Sequence, residues 1–357
     1  MMMHEQYIRR CLELAQLGKG YVSPNPMVGA VLVHNGRIIG EGWHKEYGKA
    51  HAEVNCIESV ADIDKQLIPE SMMYVSLEPC AHHGKTPPCA ERLVKERVKE
   101  VIVCNPDPFE KVGGRGMQIL HDNNIATTTG ILDKEGRWLN RRFFCVQEHK
   151  RPYIILKWAR SANGIFAPYG NRRYQISNVY SSSIVHKWRT EEDAIIVGTN
   201  TALADDPQLT SRLWEGKNPL RIVIDRSLIL PTNLKLFKRE TDTWVVNDKK
   251  DEQGDNLQYI KLEFDEHLLE NILQRLYDAK VQSLIVEGGA KLLHTFIAKG
   301  LWDEARVIIG DKVIEHGIAA PVLTNTAEAF ETSLAEDMLH VYVNSDSKYP
   351  YAEGMGL

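Results

Sequence analysis

The chain has 357 residues, long for one domain, so two domains of ordinary size are the default expectation. Its composition is that of a globular protein, and a net charge of -5 offers no basic footprint for a polynucleotide or an anionic membrane. A small phosphorylated substrate suits this balance better. The opening M-M-M-H-E-Q-Y lacks a basic segment followed by an apolar run, and no apolar stretch approaches transmembrane length, so a cytoplasmic protein is expected.

The first predicted element is an amphipathic helix over residues 4–17, where Ile8, Cys11, Leu12 and Ala15 recur at helical spacing and Gly18 ends it. Strands over 27–33 and 37–43 follow, joined across Asn35-Gly36, a strong hairpin signal. A helix starts near His51, a strand over 72–77 runs into Glu78-Pro79-Cys80, and Pro87-Pro88 pre-sets a helix from Cys89. A strand at 100–104, a helix over 116–123 and a short strand at 125–129 complete a mixed sheet with helices on its faces. Asn105-Pro106-Asp107-Pro108 is a rigid turn that either delivers Asn105 or Asp107 to a site or is a plain loop; Gly113-Gly114-Arg115-Gly116 at a helix start is weak on its own.

All six cysteines (Cys11, Cys56, Cys80, Cys89, Cys104, Cys145) fall before residue 146, which marks a domain and does not suit the disulfide framework of a small secreted chain. Four of them sit in apolar contexts and read as core thiols. Cys80 and Cys89 do not. They lie in E-P-C-A-H-H-G-K-T-P-P-C, with His51-Ala52-Glu53 upstream. Zinc takes thiolate and imidazole ligands tetrahedrally, and a catalytic site keeps three protein ligands and leaves the fourth position to water. His51, Cys80 and Cys89 make that set of three. Bound zinc lowers the pKa of its water from about 15.7 towards roughly 7. Glu53, a carboxylate that is not a ligand, is placed to carry the proton from that water to the ring nitrogen and the departing amine of a nucleobase-like substrate. A purely structural zinc site has no use for Glu53 and wants a fourth protein ligand, for which His44, His82 and His83 are available. The insert between the cysteines brings His82, His83, Lys85 and Thr86, polar groups suited to a substrate with an anionic tail.

A boundary is expected within Q-E-H-K-R-P at residues 147–152. Beyond it, strand-like segments occur at 153–158, 194–197, 221–224, 243–246 and 283–286, with helices at 266–279 and 291–299. Val286-Glu287-Gly288-Gly289-Ala290 takes a strand through two glycines into a helix, an arrangement that lets backbone amides approach a pyrophosphate and that also makes an ordinary tight turn. The tail after Asn344 has little to bury and is expected to be peripheral.

The extended cysteine loop, with S-P-N-P-M-V-G-A at 23–30, resembles the deaminase half of the bifunctional riboflavin-biosynthesis deaminase/reductases. G-T-N-T-A-L-A-D-D-P-Q-L-T-S-R at 198–212, L-R-I-V-I-D and V-E-G-G-A resemble the reductase half. The resemblance implies an α/β protein with a cytidine-deaminase-like mixed-sheet domain over 1–146 and a dihydrofolate-reductase-like α/β domain over 151–345. It implies zinc-dependent deamination of 2,5-diamino-6-(5-phosphoribosylamino)pyrimidin-4-one, followed by NADPH reduction of the ribosyl group to ribityl. It places Asn25, His44, His83, Lys85 and Thr86 around the pyrimidine and its ribose phosphate. The nicotinamide cofactor falls at Thr201, Asp205 and the run Gly289, Ala290, Lys291, Leu292, Leu293, His294 and Thr295. The second substrate site falls at Arg173, Arg189, Leu209, Arg212 and Glu287; arginine suits phosphate because its guanidinium fork binds bidentately. Assembly into a homo-oligomer is also implied.

Two departures bear on the reductase half. Where S-x-D-G is usual the chain has Ser161-Ala162-Asn163-Gly164, and where a serine and a tryptophan are usual it has Arg173 and Gln175. Two other readings therefore stand beside the bifunctional one: a deaminase whose second domain does not reduce, and a zinc-stabilised nucleic-acid-binding or editing protein. The acidic balance and the lack of a basic stripe with interleaved aromatics oppose the latter.

Overall fold

The computed structural model describes residues 2–81, 87–108, 113–170 and 174–356. They form two compact units, Met1–His149 with Tyr349–Leu357, and Lys150–Lys348.

The first unit runs α1 (Met2–Gln16), β1 (Gly29–His34), β2 (Arg37–Trp43), α2 (Ala52–Glu58), β3 (Met72–Leu77), α3 (Cys89–Glu96), β4 (Glu100–Asn105), α4 (Arg115–Asp122), β5 (Ala126–Thr129), α5 (Asp133–Leu139) and α6 (Arg141–His149). The sheet order is β2-β1-β3-β4-β5, antiparallel across β2, β1 and β3 and parallel from β3 to β5. The hairpin turns at Asn35 and Gly36, both with positive φ (48° and 81°), the left-handed pair a two-residue turn needs. β3 and β4 are short apolar runs buried almost throughout, as parallel strands covered on both faces require. Cys56 and Ile57 of α2, Leu93 of α3 and Leu120 of α4 pack on Val75, Val101 and Val103. α1 buries Ile8, Cys11, Leu12 and Ala15 completely, and each large apolar side chain so buried contributes about 1.5–3 kcal/mol. Cys11, Cys56, Cys104 and Cys145 are all buried free thiols.

Helices α5 and α6 carry few sequence signals, because α6 buries Arg141 and Arg142 beside Phe143, Phe144 and Cys145 and so has no clean apolar stripe. The tail corrects the sequence expectation. Tyr349 is fully buried, Ala352 and Met355 nearly so, and the Trp138 indole of α5 donates to the Gly356 carbonyl at 2.9 Å. A Tyr-Pro-Tyr-Ala run supplies enough apolar area to dock once the matching groove exists, which composition alone does not reveal.

The second unit runs β6 (Tyr153–Arg160), β7 (Ile165–Pro168), α7 (Val179–Glu191), β8 (Ala194–Gly198), α8 (Thr199–Asp205), β9 (Leu220–Ile224), β10 (Thr243–Asn247), β11 (Leu257–Lys261), α9 (Leu268–Asp278), β12 (Ser283–Val286), α10 (Ala290–Ala298), β13 (Glu304–Ile309), β14 (Gly317–Ala319), β15 (Thr326–Leu334) and β16 (Asp337–Asn344). Its nine-stranded sheet has the order β11-β10-β9-β8-β12-β6-β13-β16-β15, parallel except where β16 pairs with β13 and β15. β7 and β14 form a separate antiparallel pair. The strands expected at 153–158, 194–197, 221–224, 243–246 and 283–286 are all present. α7 was not legible because it buries Ser181 and Thr190 along with Val185 and Trp188. β15 was not legible because it is an exposed, mostly polar strand at the sheet edge. Among the described residues no helix is long and apolar enough to cross a membrane.

Candidate active sites

His51 precedes the first turn of α2 and Glu53 lies within that turn. The Asn55 amide pins this helix start by donating to the Trp43 and Ala50 carbonyls at 2.7 and 3.2 Å. Cys80 follows three residues after the end of β3, and Pro88 leads Cys89 into α3. The three chain segments converge. His51 Nδ1 lies 3.5 Å from Cys80 Sγ and 3.3 Å from Cys89 Sγ, and the three donor atoms fall within 4.8 Å of one another. Bond lengths of about 2.0–2.1 Å for Zn–N and about 2.3 Å for Zn–S give a tetrahedral N···S edge of roughly 3.6 Å, so this donor set fits zinc. Among the described residues no fourth histidine, cysteine or carboxylate joins the group. His44 is engaged elsewhere: its Nδ1 meets the Ala50 carbonyl at 3.1 Å and its Nε2 the Asn25 amide at 3.2 Å.

The electrostatics follow from crowding. A hydrogen bond from Cys89 pulls the Cys80 thiol well below its ordinary value, against burial, and neighbouring His51 adds to the effect. The Cys89 thiol is correspondingly raised, by the hydrogen bond to Cys80 and by burial. Glu53 is 3% exposed; burial and the charge of Cys80 push its carboxyl up to about 7, although His51 pulls the other way. Burial, with His51 alongside, lowers His44 despite the Ala50 hydrogen bond.

Asn25 and His44 meet beside this group, whereas His82, His83, Lys85 and Thr86 lie outside the described residues. Glu78, read in the sequence only as part of the E-P-C run, is a buried carboxylate that accepts from the backbone amides of Asp107, Gly114 and Gly116 at 3.2, 3.1 and 3.0 Å. The glycine run at the start of α4 is thereby explained. A Cβ on Gly116 would stand 2.0 Å from the Pro79 carbonyl oxygen, so only glycine lets the helix start close over the Cys80 turn. Asn105 is fully buried and donates to the backbone and side chain of Asp133, which makes it a strut between β4 and α5.

The second unit contains a cleft of about 1130 Å³. Thr201, Asp205, Gly289, Ala290, Lys291, Leu292 and Thr295 line it, as do Arg189, Leu209, Arg212 and Glu287. Two of the run at α10 do not: Leu293 turns into the core and His294 to the exposed face, as helical spacing dictates. Arg173 lies outside the described residues. Arg189 pairs with Glu287 at 2.8 Å, both nearly buried. Burial opposes ionisation of Glu287, but Arg189 and Lys157 outweigh it and hold the carboxyl below its usual range.

Residues 1–105 match the cytidine and deoxycytidylate deaminase zinc-binding region, and residues 152–329 match the RibD C-terminal domain. The riboflavin biosynthesis protein RibD of Aquifex aeolicus is 35% identical over 88% of this chain and 89% of its own length. The chain belongs to the RibD family. The solved structure of Acinetobacter baumannii RibD superposes with a TM-score of 0.87 at 30% identity, over 96% of this chain and 99% of that one. A Thermotoga maritima protein, described as a diaminohydroxyphosphoribosylaminopyrimidine deaminase/5-amino-6-(5-phosphoribosylamino)uracil reductase, gives 0.87 at 31% identity with the same coverage.

Within the RibD family the departure at Asn163 now has a local account. Asn163 is not among the residues lining the cleft. Its amide donates to the Ile314 carbonyl at 2.8 Å, while its carbonyl oxygen accepts from Ile314 N at 3.1 Å and from Ser161 Oγ at 2.7 Å. An ionised aspartate could not supply that donor. Gln175 does line the cleft, and adjacent Tyr174 provides an aromatic surface there. Two further cleft residues escaped the sequence reading. Lys157 interrupts the apolar run of β6, a signal in itself; burial lowers its pKa, opposed by Glu287 and reinforced by Arg189. His186 precedes Arg189 by one helical turn, and its Nδ1 accepts from the backbone amides of Arg212 and Leu213 at 2.7 and 3.3 Å.

Proposed function

We propose that the chain carries out two successive steps of riboflavin biosynthesis: hydrolytic deamination of 2,5-diamino-6-(5-phosphoribosylamino)pyrimidin-4-one in the first unit, then NADPH-dependent reduction of the ribosyl group to ribityl in the second. The observation that carries the first step is the triangle of His51, Cys80 and Cys89 with Glu53 buried at its side. Those three residues would hold zinc, which supplies a nucleophilic water that ionises near neutral pH. Glu53, buried beside the donor set and not part of it, would take the proton from that water and return it to the ring nitrogen and the leaving ammonia. Asn25 and His44 would orient the pyrimidine, and Lys85 with His83 and Thr86 would meet its polar and anionic groups.

In the second unit the cleft gathers the expected cofactor and substrate groups. Gly289 to Leu292 open α10, whose first-turn amides at Ala290 and Lys291 would suit a pyrophosphate, with Thr201 and Asp205 nearby for the rest of NADPH. Arg189 and Arg212 would hold the ribose phosphate, and Glu287 a hydroxyl of the opening sugar. The cofactor carries the hydride, and these protein groups align the two reactants. Such a pathway enzyme would work in the cytoplasm.

The test is mass spectrometry of products after incubating zinc-loaded protein with the pyrimidine, without cofactor and with NADPH. Replacement of an amine by oxygen in both tubes, and two added hydrogens only in the second, is the expected result. Deamination without reduction refutes the second half of the proposal, and no change in either tube refutes the first.

A further inference from the structure

The polypeptide leaves the first unit at His149, builds the second, and returns at Tyr349. Tyr349 is fully buried; its hydroxyl donates to Glu148 at 2.9 Å, and Glu148 pairs with Arg137 of α5 at 2.8 Å. Tyr351 packs edge-on against Trp138, with ring centres 5.2 Å apart, and Gly356 accepts the indole N–H. Arg141 covers Trp138 at 3.9 Å and donates to its carbonyl. The returning segment therefore grips α5.

Immediately after α5 comes Asn140, 2% exposed. Its side chain accepts from Met27 N and donates to Met27 O, both at 2.8 Å, so one amide clamps both backbone groups of a residue 113 positions away. Met27 closes the loop that presents Asn25, whose amide faces His44 Nε2, and the His44 ring stands edge-on to His51 at 5.3 Å. This path of contacts, buried at Tyr349, Trp138, Asn140 and Met27, ends at the proposed substrate groups of the first unit.

We infer that Asn140 is a positioning residue for the first active site, and that residues 349–356, although they follow the second unit in sequence, complete that site by fixing α5. The inference rests on the deaminase reading above. Its mechanism is geometric: a loop held by two short bonds in a buried setting keeps Asn25 within reach of the pyrimidine, whereas a loosened loop samples other positions before substrate binds.

The experiment compares full-length zinc-loaded protein with Trp138→Phe, Asn140→Asp and a chain ending at residue 348. Deaminase KM and kcat, reductase rate, zinc content and thermal stability are measured for each. At neutral pH an aspartate at 140 keeps the acceptor for Met27 N but sets a carboxylate oxygen against Met27 O. The expected result for both point variants is a KM for the pyrimidine raised about tenfold, with kcat within about twofold of the parent, zinc retained and reduction unaffected. For Asn140→Asp the KM recovers once the pH is low enough to protonate the carboxyl, whose burial against the Met27 carbonyl disfavours its charged form, because the neutral acid restores donor and acceptor together. A general folding role would instead lower kcat and zinc content in parallel at constant KM, and that pattern overturns the inference, as does an unchanged KM in both point variants. If the shortened chain does not fold, the point variants still decide. A parent protein that does not deaminate sinks the deaminase reading and this inference with it.

Discussion

Glu78 offers a sharp test, because a buried carboxylate that relies on backbone amides has no easy substitute. Its Oε2 accepts from Asp107 N and Gly114 N, and its Oε1 from Gly116 N. Glu78→Gln keeps shape and volume. Whichever way the amide is turned, its NH2 must face at least one of those backbone N–H groups. The less harmful orientation keeps the two bonds at the Oε2 position and sets NH2 against Gly116. It forfeits one hydrogen bond to a charged acceptor, worth about 1.5–3 kcal/mol, and strands a buried donor at about 1–3 kcal/mol more, so about 3 kcal/mol in all is a conservative figure. For a unit of this size that is about 6–12 °C in the unfolding midpoint of the first unit, read by calorimetry or circular dichroism. The damage also reaches the metal centre, because Gly116 closes over Pro79, next to Cys80; zinc affinity should fall about 10- to 100-fold in a competition titration with a chelating dye. A Glu78→Gln protein that melts within about 1 °C of the parent and holds zinc equally well would refute the reasoning.

Glu53→Gln should lower kcat for deamination by about 10²- to 10⁴-fold while zinc content by metal analysis stays at one per chain; substantial residual turnover would remove Glu53 from proton transfer. Arg189→Met leaves Glu287 in a nearly buried setting with Lys157 as the main balancing charge among the described residues. The second unit should lose about 3 kcal/mol in urea unfolding, and the KM for reduction should rise; an unchanged urea midpoint would show the pair to be dispensable. His186 carries a pKa lowered to about 4 from its ordinary 6.5, through burial and the cations Arg189, Arg212 and Lys157, with Glu287 opposing. Between those values the unfolded chain binds the extra proton, so this contribution to stability is full above 6.5 and is lost as pH falls towards 4. Replacing His186 by Asn should flatten the fall in urea midpoint between pH 7 and pH 5 relative to the parent, and identical profiles for the two proteins would contradict this assignment.

The convergence of His51, Cys80 and Cys89 on the proposed zinc site was legible in the chain because its chemistry is written locally. Zinc demands particular donors, a proline-bracketed turn restricts where Cys80 and Cys89 can point, and an acid two residues after a ligand histidine has few other uses. The hairpin at Asn35-Gly36 and the buried strands β3, β8 and β12 were readable for similar reasons, since turn geometry and short apolar runs depend on neighbours in sequence. Helices α6 and α7 were not, because their buried faces carry arginine, serine and threonine that only partners in space can satisfy.

By itself, then, the sequence determined the donor set, the acid beside it and the family whose motifs the chain carries. Only the tertiary structure decided which surroundings those groups work in. Asn140 holds Met27 across 113 residues, Arg189 finds Glu287 across 98, and the final residues return past the whole second unit to grip Trp138. Such contacts leave no periodic or local trace, because a buried amide or carboxylate gains its partner only after the backbone has brought distant segments within about 3 Å.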